Sequence, residues 1–483
     1  MSLVTPSPTT AAPPARTTPL TLRNYLAYAA GDAANNLSFF MASMFLTLYY
    51  TNVVGIEGAV IGTMFLVVRF VDAFTDLLAG RAVDAKRPGR LGKFRPFILW
   101  FSLPLLLTSM TIYSAKVFFP DISGTAAVVY MYVTYLLMGS VFYTLVNIPY
   151  GSMAPAMTQV PVERGKLATY RMYGAALCIL AVAFVVAPQI RGNAENPEAL
   201  QRSLFVTTAA FVVVGMALYL FTISGTKEQV ARPSGSVSLR DSVRTLVSNK
   251  PLLVLSSGSV LFLTGFTGLS TLGTYLAIYV QQDAKFIAWN TLAQTVSLFA
   301  VGPVIPTVVR TIGKRVGYLL FGGVTLLGAA ILAFAPLASV PALGLVAFFV
   351  GGMGIYGVNT LMWALEADTV EYGEWRTGQR TEGTTYAAFS FTRKMGQALG
   401  GFVGGLALTW AGFSAQRASS GEAQAPGVAD NLQLWAGGIL GVFGILSIAV
   451  MVFYPLTESR FREITAEIAA RRTAGAASGE PTP

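Results

Sequence analysis

Asp72 and Asp76 stand four residues apart, with Arg69 three residues before the first, in a stretch that is otherwise largely apolar. On a helix that spacing puts all three on one side. An ionisable side chain at mid-bilayer costs roughly 2.5–3.5 kcal/mol on insertion scales, so a group kept there marks an ion or substrate path by default. Two carboxylates this close at low dielectric do not both ionise cheaply. One takes up a proton, and the two titrate as a pair. A sodium ion, which needs several oxygen ligands, is the other way to neutralise both. The competing reading is a structural clamp between Arg69 and one aspartate, but it leaves the second acid uncompensated. Asp72 and Asp76 are therefore the expected cation-coupling site.

Further polar groups fall inside apolar runs. Asp32 lies beside Gly31, Asn35 and Asn36, and serves either as interhelical glue or in a site. Tyr143, Asn147 and Gly151 are spaced by four on one helix face, where Pro149 is expected to kink the helix and free carbonyls toward a cavity. A ring to stack on a sugar, an amide to donate and accept, and room beside them suit a polyol, although such faces also serve plain packing. Tyr386, Ser390 and Lys394 share another face, with Arg393 next to it. One of these two cations can snorkel to the surface, but Lys394 lies at least two turns in and is expected to face a cavity. Arg171 lies nearer an interface. Gly396, Gly400 and Gly404 form a smooth stripe for close helix contact.

The elements that must position these groups follow from composition. Of 483 residues, 54% are apolar and only 12% charged, about half the charge of a soluble domain. This excludes a soluble enzyme, a disordered chain and an ordinary nucleic-acid binder. With no histidine and one cysteine, Cys178, there is no disulfide framework, Cys/His zinc site or histidine triad. Apolar runs predict helices at roughly 24–51, 56–80, 96–115, 124–157, 167–189, 203–224, 252–281, 287–309, 316–336, 341–366, 384–413 and 432–455. The expected fold is an all-α polytopic membrane protein of twelve transmembrane helices in two six-helix bundles. Residues 1–22 are a disordered tail, 23–224 the first bundle, 225–251 a linker, 252–456 the second bundle and 457–483 a second tail. Of 33 Lys and Arg, 25 fall in the tails and alternate connections, 5 in the opposite connections and 3 within helices. Both termini are therefore expected in the cytoplasm of a cell with a bacterial-type inner membrane, with the positive charge facing lipid rather than nucleic acid. A related basic turn recurs in each half, Arg90-Leu-Gly-Lys-Phe-Arg95 and Arg310-Thr-Ile-Gly-Lys-Arg315, as in major-facilitator transporters built from repeats around a midplane site.

Six ordered motifs make the sequence resemble the glycoside–pentoside–hexuronide:cation symporters, a branch of the major facilitator superfamily. They are Gly31-Asp32-Ala-Ala-Asn-Asn36, Tyr50-Thr-Asn-Val-Val-Gly55, Arg69-Phe-Val-Asp72-Ala-Phe-Thr-Asp76, Gly92-Lys-Phe-Arg-Pro96, Asn147-Ile-Pro-Tyr150 and Ala367-Asp-Thr-Val-Glu-Tyr-Gly-Glu374. The likeness spans about 24–465 and is strongest to the family's glucuronide-carrying branch, through stretches such as Ser390-Phe-Thr-Arg-Lys394 and Phe453-Tyr-Pro-Leu-Thr457. The resemblance implies that Asp72 and Asp76 hold the coupling cation, and that Arg171 and Lys394 serve the sugar and coupling sites. Asn36 and Asn147 stand where the melibiose-carrying member has aspartates, and Gly151 where it has tryptophan. Losing those acids suits a substrate with its own carboxylate, which two anionic side chains would repel. Losing one acid at the ion site favours a proton over sodium.

The expected function is secondary transport of a glucuronide or related glycoside into the cell with a proton, with no cofactor and no obligate protein partner. The sugar-site residues are Asp32, Asn36, Tyr143, Asn147, Arg171 and Lys394. The turns Gly92–Arg95 and Gly313–Arg315, with an acidic loop Asp368–Glu374 that includes Glu371, are expected to make an inner gate of charge pairs. Sodium- or proton-coupled carriage of a neutral glycoside or pentoside is the nearer alternative. A polytopic enzyme acting on lipid-linked sugars, with its acids in the loop 366–382, is the rival from another class.

Overall fold

The chain forms long helices wherever an apolar run lies between stops made of Gly, Pro and basic residues. The computed structural model describes residues 19–86, 89–158, 160–193, 196–229, 247–378 and 382–478. Residues 1–18 of the expected tail, 230–246 of the expected linker and Arg380 lie outside them. The first half holds α1 (Leu22–Tyr49), α2 (Gly58–Ala85), α3 (Arg95–Ile112), α4 (Gly124–Leu136 and Tyr143–Met157, joined by a π turn), α5 (Pro161–Gly192) and α6 (Pro197–Gly225). The second holds α7 (Lys250–Tyr275), α8 (Lys285–Val301), α9 (Val304–Phe334), α10 (Ala342–Thr377), α11 (Glu382–Trp410) and α12 (Val428–Val452), followed by α13 (Glu458–Ser478). Proline in the first turn opens α3, α5, α6 and α7, where its missing N–H has no helical partner to lose. Asn196 and Asn249 cap α6 and α7 by accepting from Ala199 and Leu252.

The architecture is the all-α major facilitator fold, but several local expectations change. Ten helices among the described residues are long and apolar enough to cross a membrane. The two other expected spans fall on α8, 17 residues long, and on α11, which carries Arg393 and Lys394. α9 breaks at Gly313, whose φ of 81° suits glycine. α4 stays α-helical through Pro149, and its irregularity is the π turn Leu137–Phe142, a turn and more earlier. The expected acidic loop Asp368–Glu374 is the end of α10. The second tail begins as a helix, α13, that buries Ile464 and Ile468. Two apolar cores form, one built mainly from residues 25–219 and one from 252–468.

The halves meet at the ends of their helices remote from the described termini. Thr274 donates to the Met44 carbonyl at 2.8 Å, Thr51 and Tyr275 share a hydrogen bond at 2.7 Å, and Asn52 donates to Tyr279 at 2.6 Å. Arg191 pairs with Asp283 at 3.2 Å. Burial pushes the Asp283 carboxyl up, but hydrogen bonds from Lys285 and the charges of Arg191 and Lys285 outweigh it, leaving the group below its ordinary value. Beside them α2 and α11 cross on bare backbone. A Cβ on Gly58 would lie 2.7 Å from the Gly405 carbonyl, and one on Gly62 2.7 Å from the Phe402 carbonyl. The stripe Gly396, Gly400 and Gly404 faces the other way, onto α7, where added Cβ atoms would meet Val260, Thr264 and Gly268 backbone at 2.8, 2.7 and 3.2 Å. This matches the structural role read from its spacing.

Any side chain at Gly405 must therefore push α2 and α11 apart on this side. Spin labels at Glu57 and Gln416, one on each half, should show a longer and broader distance distribution in a Gly405→Val variant. An unchanged distribution would show that this crossing does not hold the halves together.

Candidate functional site

The carboxylates Asp72 and Asp76 project from α2 toward the interface between the halves. Arg69 donates to Asp72 at 3.0 Å. Thr144, at the start of the second piece of α4, lies 3.3 Å from Asp72 and 3.0 Å from Asp76. Its hydroxyl has one proton and serves one acid at a time. Lys394 reaches across from α11, forming a hydrogen-bonded ion pair with Asp76 and lying 3.7 Å from Asp72. Both acids thus have a counter-charge, and the second comes from the other half of the molecule. The acid that an Arg69 clamp alone would leave uncompensated is the one Lys394 takes. Lys394, expected at the sugar, sits on the acid pair.

A second cluster forms where α1, α4 and α5 meet. Arg171 pairs with Asp32 at 2.7 Å. Asn36 donates to the Asp32 carboxylate at 3.0 Å and to its carbonyl at 2.8 Å. The guanidinium lies 5.6 Å from the centre of the Tyr150 ring, which stacks on Tyr28 and donates to the Tyr28 carbonyl at 2.6 Å. Gly31 admits that ring, since a Cβ there would fall 2.5 Å from it. Asp32, Asn36 and Arg171 thus form one hydrogen-bonded unit.

Between the halves lies a cavity of about 640 Å³. Its lining includes Phe39, Arg69, Asp72 and Tyr143 from the first half, and Gln294, Tyr356, Asn359, Trp363 and Gln397 from the second. Of the expected sugar-site residues Tyr143 lines it, whereas Asp32, Asn36, Asn147, Arg171 and Lys394 do not. Sequence reasoning missed Thr144, Asn359 and Trp363. Thr144 carried no charge to flag it. Asn359 and Trp363, spaced by four on α10, gave a signal of the kind used for Tyr143 and Asn147.

Two of the expected gate residues, Arg95 and Asp368, have partners in their own half. Arg95 donates to the carbonyls of Leu91 at 2.8 Å and Ile223 at 3.2 Å, within the first half. Asp368 takes Lys314 at 2.6 Å, within the second. Glu371 and Glu374 stand on the last turns of α10. The turn around Gly92 is tied down by Glu228, which accepts from the Lys93 and Phe94 amides at 2.7 and 2.8 Å. These contacts brace each half rather than joining the two.

Two helical bundles, a cavity between them, and buried charges joined across the seam define a multi-pass membrane transporter of the major facilitator class. The chain belongs to the MFS/sugar transport protein family, whose model matches residues 27–458. It is 38% identical to the glucuronide carrier protein homolog of Escherichia coli K12, over 94% of this chain and 96% of that one. It is 34% identical to a putative 2,3-dihydroxypropane-1-sulfonate exporter of the same organism, over 94% and 96%. Its fold superimposes on the crystal structure of the nucleoside transporter NupG with a TM-score of 0.62 at 13% identity, covering 90% of this chain and 100% of that one. The chain is a secondary sugar transporter, and the membrane-enzyme alternative falls with this membership.

Removing one end of the Arg69–Asp72 pair strands the other in the protein interior. Asp72→Asn is expected to cost roughly 3 kcal/mol, read as a lower melting temperature in detergent. Arg69→Met combined with Asp72→Asn should recover part of the loss. A double variant as unstable as the sum of the singles would show that the two side chains act independently.

Proposed function

We propose that this transporter is a proton-coupled symporter of an anionic glycoside, with a glucuronide as the first candidate. The observation that carries the reading is Lys394 of the second half seated on the acid pair of the first, beside the cavity. While both acids are ionised, the ammonium bridges the halves. A proton on Asp76 weakens its hold on Lys394 and lets the halves rearrange. Substrate filling the adjacent cavity then selects between the arrangements, so that proton and sugar cross together. Asp72, Asp76 and Thr144 carry enough oxygens to begin a sodium cage, but Arg69 and Lys394 already occupy them. A proton needs one carboxylate oxygen and no cage, which favours it over sodium. In this reading Tyr143 faces the sugar, while the Asp32–Asn36–Arg171 unit and Asn147, which are not in the cavity wall, contribute indirectly.

The substrate class draws support from the two relatives. A glucuronide and a dihydroxypropane sulfonate are both polyhydroxylated and anionic, and neither would be favoured by a pocket of unpaired acids. The wealth of basic residues on the side of the termini supports a cytoplasmic position for that side of an inner membrane.

Proteoliposomes with an imposed pH gradient test the coupling. Uptake of p-nitrophenyl glucuronide should follow the proton gradient. Asp76→Asn should abolish accumulation while permitting counterflow exchange. Uptake that follows sodium and ignores pH, or uphill accumulation that persists in the variant, would overturn the proposal.

A further inference from the structure

Four cations lie within the two bundles near these sites, Arg69 alone of them in the cavity wall, and three of the four are answered by acids. Arg69 has Asp72, Arg171 has Asp32 and Lys394 has Asp76. Arg393 is different. Its guanidinium donates to the Asn359 side-chain oxygen at 2.8 Å and to the Met362 sulfur at 3.2 Å. It lies 4.9 Å from the centre of the Trp363 ring and 5.9 Å from that of Phe389. All of these partners are neutral, and among the described residues no carboxylate stands within ion-pair distance of it. Asn359 and Trp363 are themselves cavity wall and Arg393 is not, so the charge sits directly behind the side chains that face the space where substrate would sit.

A half-buried charge without a counter-ion in the middle of a membrane protein is costly. The fold keeps this one by surrounding it with an amide oxygen and aromatic faces, which soften the cost without cancelling the charge. Asn359 and Met362 use two of the five N–H groups. A planar guanidinium with N–H groups to spare matches the geometry of a carboxylate or sulfonate. Arg171 and Lys394, by contrast, must release an acid before they can take an anion.

We propose that Arg393, oriented by Asn359, is the residue that receives the anionic group of the substrate. This rests on the reading of the substrate as an anionic glycoside. The anion completes a charge balance that the protein leaves open by one. It also lands on α11 next to Lys394, so anion recognition and the bridge between the halves share one helix. The rival reading is that Arg393 only fastens α11 to α10.

Equilibrium binding to the full-length protein in detergent separates the two. The probes are p-nitrophenyl glucuronide, p-nitrophenyl glucoside and a p-nitrophenyl glucoside carrying a sulfonate at the sugar's sixth carbon. The wild type is expected to bind at least one anion roughly 10–100-fold more tightly than the glucoside, the range of one charge-assisted contact. The tighter of the two anions identifies which group the site takes. Arg393→Gln should collapse the anion-to-neutral ratio toward one without lowering the melting temperature, since it removes an uncompensated charge. Asn359→Asp, which gives the guanidinium an internal partner and keeps its packing, should collapse the same ratio. Arg393→Lys should restore part of it. A wild type indifferent to substrate charge overturns the substrate reading and this inference with it. A ratio that survives both Arg393→Gln and Asn359→Asp overturns this inference alone, as does a loss of melting temperature in Arg393→Gln with the ratio intact.

Discussion

A charge inside a low-dielectric bundle must find an opposite charge or a strong donor, and the architecture follows from how that need is met for Asp72 and Asp76. Arg69 satisfies one from the same helix, at no cost in sequence distance. Lys394, 318 residues from Asp76 along the chain, satisfies the other from the opposite bundle. The second solution makes the union of the halves conditional on the charge state of a side chain. Hydrophobic contact alone could not do this, since it does not respond to a proton. The far-side crossing of α2 and α11 is of the other kind, glycine backbone on glycine backbone. The same two helices therefore carry an unconditional contact toward one face and a conditional one near the middle.

Much of this was legible in the sequence. Apolar run length gave the helical class. The i, i+4 spacing of Asp72 and Asp76 identified the acid pair before any coordinates. The partners of those acids were not legible. Nothing local to Lys394 says that it meets Asp76 rather than a ligand, because that contact exists only once two separately folded bundles are apposed. The same limit hid Thr144, which has neither charge nor periodicity to mark it. The partners of the gate residues were hidden for a related reason. Complementary charges in separate loops suggest pairing across a seam, but Arg95 and Asp368 each found a nearer partner in their own half. Proline gave a third lesson. Pro149 lies inside a continuous α-helix, and the wide turn formed at Leu137–Phe142 instead, around the small pair Gly139 and Ser140.

The Asp32–Asn36–Arg171 unit shows how one helix turn can be spent on a polar site without disrupting packing. Gly31 removes the one atom that would block Tyr150, and Tyr150 then offers its ring to Arg171. The acid holds the guanidinium in a fixed direction, and Asn36 holds the acid. Such a unit holds its charges in fixed directions at little further cost in side-chain freedom.

Each end of the described chain is fastened to its own bundle. The Leu20 amide donates to Glu163 at the head of α5. At the other end, Arg471 of α13 donates to the Trp375 carbonyl of α10, and Glu467 accepts from the Trp375 indole. The two extremities are thus rigid extensions of the parts that must swing past each other, and the span between them is a built-in caliper. A pair of fluorophores placed at Leu20 and Arg471 would read the rocking angle directly, with no label near the cavity or the acid pair.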